Sequence, residues 1–185
     1  EICACLVGSE MCIRDRHEDA IYFSKRVTRA VPDGGPIEAH TDLVKKLDYE
    51  CELAVVLGRD ARDVPAGQTR DYIFGYTILN DVSARDVQTA HKQWYFGKSL
   101  DGFTPIGPCI VTADAFADYP PRLGIRSFVN GEKRQDSNTA LQIFDIDHVI
   151  AELSQGMTLK AGTIIATGTP AGVGTVSYTH LTLPT

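Results

Sequence analysis

The sequence predicts an α+β fold in which strands dominate and helices are short. Runs rich in β-branched and aromatic residues are separated by turns that contain Gly and Pro. These runs do not alternate regularly with helical patterns, and the sequence contains no internal repeat. An order of this kind favours a largely antiparallel or mixed sheet over a regular series of βαβ units.

The N-terminal half of the sequence predicts three strands. The first covers residues 20–24 and is followed by a loop over residues 29–41, which is rich in Gly and Pro. The second covers residues 48–57, and residues 44–47 either begin it or pair with it. The third covers residues 73–81, after a predicted helical turn, and is apolar and rich in residues that favour strands.

The middle of the sequence predicts a helix, a strand and a hairpin. Ser83 is predicted to cap the start of the helix because its hydroxyl can accept a backbone N–H. A strand follows over residues 106–112. Residues 125–129 and 132–135 are predicted to form the hairpin, because the intervening Asn130-Gly131 pair suits a type I′ turn.

The last predicted elements are a helix and a strand. Asp145 or Asp147 is expected to cap a helix that runs through Ser154, with its apolar residues on one face. Gly156 is expected to end this helix. A turn then leads into a strand over residues 163–167.

Charge and cysteine content restrict the expected partners and compartment. The net charge of −6 argues against nucleic acid or an anionic membrane surface as a partner. No apolar run is long enough to span a bilayer, and no segment has the pattern of a signal peptide. The five cysteines are sparse and odd in number, which indicates free thiols, a reducing compartment and a cytoplasmic protein.

The two ends of the sequence do not match its middle. Residues 5–16 show no helical or strand period, and residues 176–185 cap no element. Both strings resemble translated sequencing-adapter read-through. We therefore expect residues 1–16 and 176–185 to be non-native and to pack poorly, with the domain covering residues 17–175. The alternative is that both ends are genuine frayed termini.

The first candidate site lies on the second predicted strand. Alternate residues of a strand share a face, so Glu50 and Glu52 point the same way in a segment that otherwise looks buried. Two neighbouring carboxylates repel each other unless a cation compensates them. The alternative is an edge strand whose acidic face lies in water.

Asp81 supplies a third carboxylate. It ends an apolar strand and precedes a helix, a place from which functional side chains often project. A role in capping that helix would by itself explain an aspartate at this position. Together with Glu50 and Glu52 it makes an all-oxygen set without His or Cys, which suits Mg²⁺, Mn²⁺ or Ca²⁺ rather than zinc or copper.

Two further segments are candidates for ligand contact. Lys98 lies between small residues in a predicted loop, where the simplest alternative is a solvated surface lysine. Residues 168–174 are rich in glycine, which allows a ligand to approach the backbone closely. That segment lacks both the P-loop Lys and dinucleotide spacing, so the nucleotide interpretation is weak and a plain turn is the alternative.

These segments, taken in order, resemble the fumarylacetoacetate hydrolase family over nearly all of residues 20–174. Four ordered motifs are far more specific than any one of them. The motifs are Tyr49-Glu50-Cys51-Glu52-Leu53-Ala54, Asn80-Asp81-Val82-Ser83-Ala84-Arg85-Asp86, Gly97-Lys98-Ser99 with Phe103 and Pro105, and Thr167-Gly168-Thr169-Pro170-Ala171-Gly172-Val173-Gly174.

The resemblance implies a mixed β-roll or sandwich with short flanking helices, usually a homodimer. It also implies a Mg²⁺- or Mn²⁺-dependent enzyme that acts on small 2-oxo acids. The residues that match family roles are the metal ligands Glu50, Glu52 and Asp81, the substrate-binding Arg85, Gln88 and Thr169, and the catalytic Lys98 near the reacting carbonyl.

The expected reaction is hydrolysis of a C–C bond in acylpyruvate-type 2,4-dioxo acids, in aromatic or sugar-acid catabolism. Cleavage between C3 and C4 leaves a pyruvate enolate, whose charge the metal and Lys98 would stabilise. Family hydrolases activate the water with a His and a Glu on a mobile N-terminal segment. Here His17 lies too close to Phe23 for that motif, and Glu18 follows it directly. We therefore expect an incomplete chain that lacks this lid and is nearly inactive in hydrolysis.

Two alternatives stay open at this point. A decarboxylase or isomerase of 2-oxo dicarboxylic acids, of the oxaloacetate or 2-hydroxyhepta-2,4-diene-1,7-dioate type, would use the same metal site with a different lid. A non-catalytic domain whose acidic site binds Ca²⁺ structurally is the alternative from another class of protein.

Overall fold

The computed structural model describes the backbone of residues 2–6 and all of residues 19–174. This part of the chain forms ten strands and three short α-helices, with 3₁₀ turns at Thr69–Tyr72, Ala113–Ala115 and Thr139–Leu141. The strands are β1 Ile2–Leu6, β2 Ile21–Lys25, β3 Leu47–Asp48, β4 Cys51–Leu57, β5 Ile73–Asn80, β6 Ser83–Ala84, β7 Ile106–Thr112, β8 Gly124–Val129, β9 Glu132–Asn138 and β10 Ile164–Ala166. The helices are α1 Arg85–Ala90, α2 Tyr95–Lys98 and α3 Ile146–Leu153.

Six strands form one mixed sheet in the order β2-β1-β10-β4-β5-β7. The pair β1–β10 is parallel, and the other neighbours are antiparallel. The pairs β3–β6 and β8–β9 form two further small sheets. This architecture confirms the predicted α+β class, since it contains no regular βαβ series. Among the described residues, no helix combines the length and apolarity needed to cross a bilayer.

The main core lies between the large sheet and α3. Asp145, one of the two predicted caps, holds the N-cap position of α3 and accepts the His148 N–H at 2.9 Å. Gly156 follows the helix with φ +72°. The apolar face of the helix brings Val149 and Ile150 against buried residues of β4. Packing of this face, rather than helix propensity, is what stabilises a helix this short.

Several local predictions are confirmed. The strands expected over residues 20–24, 73–81, 106–112 and 163–167 are present, each within a residue or so of the predicted bounds. The hairpin turns at Asn130-Gly131, where both residues have positive φ, as a type I′ turn requires.

The strand predicted over residues 48–57 is interrupted at Tyr49 and Glu50. The reason is that side chains take over the backbone hydrogen bonds at this point. The Tyr49 N–H donates to Asp48 Oδ1 at 2.9 Å, and the Glu50 N–H donates to Asn80 Oδ1 at 3.0 Å. Leu47 and Asp48 pair instead with β6.

The prediction that Ser83 caps the following helix is wrong. Ser83 belongs to β6, and Ala84 holds the N-cap position without a side-chain cap. The Ser83 hydroxyl instead donates to the Asp81 carbonyl at 2.9 Å, which tightens the turn between β5 and α1.

The N-terminal segment also departs from expectation. The sequence pattern predicts no element before residue 17, yet the backbone of Ile2–Leu6 forms β1 between β2 and β10. Backbone pairing needs no side-chain period, so periodicity cannot detect a strand of this kind. The other residues expected to be non-native, 7–16 and 176–185, lie outside the described residues.

Candidate metal centre and substrate site

Three buried carboxylates meet where β4 begins and β5 ends. One oxygen from each of Glu50, Glu52 and Asp81 lies within 4.8 Å of the others, and the residues are 2 %, 1 % and 0 % exposed. The Asp81 N–H donates to the Glu50 carbonyl at 2.8 Å, which fixes the two backbone segments side by side. The structure therefore brings the predicted ligands together and contradicts the alternative of an acidic face in water.

Lys98 lies among these carboxylates rather than on the surface. Its ammonium donates to Glu50 Oε2 at 2.7 Å and to Asp81 Oδ2 at 2.5 Å, and the residue is 0 % exposed. Burial alone would lower the pKa of Lys98, but the charges of Asp81 and Glu50 outweigh it and raise the pKa. The two carboxylates therefore favour the charged form of Lys98, which is suited to stabilising negative charge.

The loop predicted around Lys98 is in part the short helix α2, which packs closely against α1. Gly97 makes this approach possible, because a Cβ at that position would lie 2.7 Å from the Gln88 backbone nitrogen. The glycine before the lysine thus sets how deeply the ammonium enters the site.

A second buried lysine, which the sequence does not single out, also reaches Asp81. Lys25 ends β2, pairs with Asp81 Oδ1 and donates to the Phe103 carbonyl at 2.6 Å. Burial lowers the pKa of Lys25 and the Asp81 charge opposes that shift. Burial would raise the pKa of Asp81, but Lys98 and Lys25 reverse this effect and lower it. A lone lysine at a strand end carries no local signal for this role.

Arg85 connects the acidic cluster to α1. Its guanidinium donates through Nε to Asp48 Oδ2 at 2.8 Å and through Nη2 to Glu50 Oε1 at 2.7 Å. Nη1 donates to Gln88 Oε1 at 3.1 Å, so the predicted pair at one helical turn is in contact. Asp48, which the sequence does not suggest as a site residue, orients this arginine from a fully buried position.

The cations around the acidic cluster pair with carboxylates other than Glu52. Lys25, Arg85 and Lys98 form ion pairs with Asp48, Glu50 and Asp81. Within the described part of the chain no basic side chain pairs with Glu52, whose Oε2 accepts only the Gly168 N–H at 2.8 Å. Burial, followed by the charges of Asp81 and Glu50, raises the pKa of Glu52 well above its usual value.

A divalent cation would neutralise the charge of the buried Glu52 carboxylate. An uncompensated buried carboxylate beside two others, all with hard oxygen donors, fits Mg²⁺ or Mn²⁺. Glu50, Glu52 and Asp81 would hold such an ion, and three protein ligands leave positions open for a substrate.

The glycine-rich loop, residues 167–174, closes the site from the far end of the sequence. Thr169 Oγ1 lies 3.2 Å from the Cys51 carbonyl, next to the backbone that carries both glutamates. Gly172 has φ +104°, and a Cβ there would lie 2.1 Å from the Arg134 carbonyl oxygen. Only glycine therefore allows the loop to lie this close to the hairpin.

His17 and Glu18, the residues considered for water activation, lie outside the described residues. The three histidines of the described part have other neighbours. His40 lies beside Glu38, His91 packs on Phe96, and His148 lies beside Glu152.

Known proteins are similar to this chain in sequence and in structure. The chain is 44 % identical over 168 residues to oxaloacetate tautomerase YisK of Bacillus subtilis, covering 91 % of this chain and 54 % of that protein. It is 44 % identical to the fumarylacetoacetate hydrolase of Exiguobacterium antarcticum, with a TM-score of 0.85, covering 94 % of this chain and 63 % of that one. The chain thus spans about half the length of the curated relatives it matches.

A fumarylpyruvate hydrolase of Pseudomonas aeruginosa, solved in complex with Mn²⁺ and pyruvate, is 27 % identical with a TM-score of 0.80. The match covers 93 % of this chain and 78 % of that one. Residues 7–183 match the sequence model described as fumarylacetoacetate (FAA) hydrolase C-terminal. Together with the fold and the ordered site motifs, these matches establish that the chain belongs to the fumarylacetoacetate hydrolase family.

Proposed function

We propose that this chain is the catalytic domain of a Mg²⁺- or Mn²⁺-dependent enzyme that stabilises the enolate of a small 2-oxo acid. The observation that carries the proposal is the position of Lys98. Its ammonium is fully buried and donates to two of three converging carboxylates, Glu50 and Asp81. A cation fixed in this way, away from water, acts most strongly on charge that develops during a reaction.

Each residue of the site has a defined part in the proposal. A divalent ion bound by the three carboxylates would polarise the carboxylate and the 2-oxo group of the substrate. Lys98 would stabilise the negative charge that forms on the 2-oxo oxygen. Arg85 and Gln88, already joined by a hydrogen bond, would orient the rest of the substrate, and Thr169 would donate to its carboxylate.

Tautomerisation of a 2-oxo dicarboxylic acid such as oxaloacetate is the first candidate reaction. It removes one proton from C3, forms the C2–C3 double bond and places one proton on the 2-oxo oxygen, so that no other reactant is needed. Identity of 44 % to an oxaloacetate tautomerase favours it. It also needs no group that activates water, and none of the histidines of residues 19–174 pairs with the three carboxylates.

Hydrolysis of acylpyruvates, the reaction predicted from the sequence, is the second candidate. The structural match to a fumarylpyruvate hydrolase that binds Mn²⁺ and pyruvate favours it. The enolate would be the same, but it would form when water attacks C4 and the C3–C4 bond breaks.

Calorimetry with Mn²⁺ tests the metal site. Glu50→Ala should weaken Mn²⁺ binding at least a hundredfold, because it removes one of three ligands and leaves Lys98 and Arg85 with fewer partners. Asp60→Asn, an exposed carboxylate that pairs with Lys160, is the matched control and should change nothing. Equal Mn²⁺ affinity in wild type and Glu50→Ala would contradict the site.

Two assays on the same preparation separate the reactions. Oxaloacetate enolisation followed by ultraviolet absorbance, and acetylpyruvate cleavage, are each measured with Mn²⁺, with Ca²⁺ and with a chelator. Enolisation that is faster with Mn²⁺ than with either Ca²⁺ or the chelator supports the tautomerase. Cleavage of acetylpyruvate supports the hydrolase. Tight binding of either ion without turnover of either substrate would favour the non-catalytic cation-binding domain and overturn the proposal.

A further inference from the structure

We infer that Gln135, on hairpin strand β9, is a positioning residue that fixes the Thr169 hydroxyl as a hydrogen-bond donor toward the substrate's carboxylate. The inference deepens the proposed function and rests on it, because it takes Thr169 as a substrate contact. Neither the sequence pattern nor the match to family motifs points to Gln135, which lies 34 residues before Thr169 in the sequence.

The Gln135 side chain is fully buried and all of its hydrogen-bonding capacity is used. Oε1 accepts the Cys51 N–H at 3.1 Å and the Ser127 hydroxyl at 2.9 Å. Nε2 donates to Thr169 Oγ1 at 2.7 Å and to the Pro170 carbonyl at 2.8 Å. One amide therefore joins the strand that carries the glutamates, the hairpin and the glycine-rich loop.

The direction of these hydrogen bonds is fixed by the backbone. The Cys51 N–H can only donate, so the amide atom that faces it must be the oxygen. The amide nitrogen then faces Thr169, and Thr169 Oγ1 must accept from it. The single hydroxyl proton of Thr169 is thereby turned away from Gln135, either toward the Cys51 carbonyl at 3.2 Å or toward a ligand.

This polarity is what a carboxylate ligand requires. A carboxylate can only accept, so Thr169 is useful to it only as a donor. The 3.2 Å contact to the Cys51 carbonyl is long for an O–H···O hydrogen bond, so exchanging it for a charged acceptor costs little. Without the Gln135 amide, the hydroxyl would be free to rotate and the donor would no longer be pre-oriented.

A purely structural role is the alternative, in which Gln135 only holds the loop against the hairpin. The two roles differ in one measurable respect. A positioning residue acts through Thr169, so its removal should matter only while the Thr169 hydroxyl is present. A structural residue should weaken ligand binding whether or not Thr169 carries its hydroxyl.

The test is a double-mutant cycle read by calorimetry, with oxalate titrated into the Mn²⁺-loaded chain. Oxalate presents the carboxylate and adjacent oxygen of a 2-oxo acid. Thr169→Val should weaken oxalate binding roughly tenfold, and Gln135→Met should weaken it by a similar factor. In the Thr169→Val background, Gln135→Met should have less than about a twofold further effect.

Three controls make the outcome decisive. Asp136→Asn changes the next residue of β9, an exposed carboxylate paired with Arg126 and Lys133, and should leave oxalate affinity unchanged. Mn²⁺ affinity measured alone should not change in Gln135→Met. If that variant does not fold, Gln135→Glu keeps the acceptor for Cys51 and removes the amide hydrogens, and it takes the place of Gln135→Met in the cycle.

Equal effects of the Gln135 substitution in both backgrounds would overturn the inference and leave the proposed function standing. A wild-type chain that binds Mn²⁺ but not oxalate would overturn the proposed function and, with it, this inference.

Discussion

The two ends of strand β4 are equally buried but chemically opposite. Its first residues, with Glu50 just before them, lie among carboxylates and buried cations. Near its other end, Val55 and Leu57 belong to the same apolar core as the buried face of α3. The apolar end gains free energy from every methylene removed from water, whereas the charged end loses hydration that only matched partners can replace.

The two ends of β4 need different kinds of partner residues from the rest of the chain. The apolar end needs only side chains of suitable volume, which one amphipathic helix supplies. The charged end needs specific atoms at specific distances, and the chain supplies them from separate elements. Lys25, Arg85 and Lys98 come from β2, α1 and α2. Substitutions at the two ends should therefore have different signatures.

Lys98→Met should produce the largest effect, at the charged end. A cation beside a forming enolate contributes most when the charge develops, so kcat should fall roughly 10²- to 10³-fold while KM changes much less. Steady-state kinetics on the substrate that the enzyme turns over would measure this. A rise in KM with unchanged kcat would show that Lys98 only binds substrate.

Ile150→Ala tests the apolar end and should leave the charged end intact. Ile150 is fully buried in the core, so the free energy of unfolding should fall by about 2–5 kcal/mol. Mn²⁺ affinity of the folded variant should not change. Ile110→Ala, the same substitution at an exposed position of β7, is the matched control and should cost less than about 1 kcal/mol. A parallel loss of metal affinity in Ile150→Ala would show that the two ends are coupled.

Glu52→Gln should have a smaller effect of opposite sign on the metal-free chain. No basic side chain of residues 19–174 pairs with the buried Glu52 carboxylate, so a neutral amide there should raise the free energy of unfolding by about 1 kcal/mol in chelator. The same variant should lose the stabilisation that added Mn²⁺ gives to the wild type. Glu38→Gln, at an exposed glutamate, serves as control. Lower stability of Glu52→Gln in chelator would show that the charge of Glu52 is already compensated in the metal-free chain.

The stability difference between wild type and Glu52→Gln should also depend on pH. The pKa of Glu52 is raised in the folded chain, so the folded state binds this proton more tightly than the unfolded state does. The resulting stabilisation is complete below the ordinary glutamate pKa and is lost as the pH rises through the folded-state value. In chelator, the stability of wild type relative to Glu52→Gln should therefore fall as the pH rises through this window, as denaturant titrations would show.

Lys160→Met should have the smallest effect. Lys160 pairs with Asp60 at 2.6 Å, but both side chains are largely in water, where an ion pair contributes little. Thermal unfolding should show a midpoint within about 2 °C of the wild type. A large shift would mean that surface pairs contribute to this fold as buried ones do.

The sequence could predict the features that depend on nearby residues, but not those that depend on distant ones. Strands β2, β5, β7 and β10, the Asp145 cap and the Asn130-Gly131 hairpin depend on nearby residues, and local patterns were sufficient for them. The break at Glu50 depends on Asn80, an asparagine 30 positions away, so no local pattern could reveal this part of it.

At the site, charge type and strand spacing suggested the three carboxylates, and motif order suggested Lys98, Arg85, Gln88 and Thr169. Periodicity cannot indicate that a lysine is buried, because burial of Lys98 follows from carboxylates brought to it by other strands. Lys25, Asp48 and Gln135 were missed for the same reason. Their partners are 56, 37 and 34 residues away along the chain.

The glycine-rich loop lies far along the sequence from the carboxylates that it binds, which has a consequence for biosynthesis. Its Gly168 and Gly174 N–H groups bind Glu52 and Asp48 across 116 and 126 residues. On the ribosome, the acidic segment emerges long before the loop that must cover it, and closing so long a chain segment is entropically costly and slow. A nascent chain interrupted before residue 167 would hold its carboxylates without either of these donors. Synthesis of the loop is therefore the step that converts a charged, open nascent chain into a closed site.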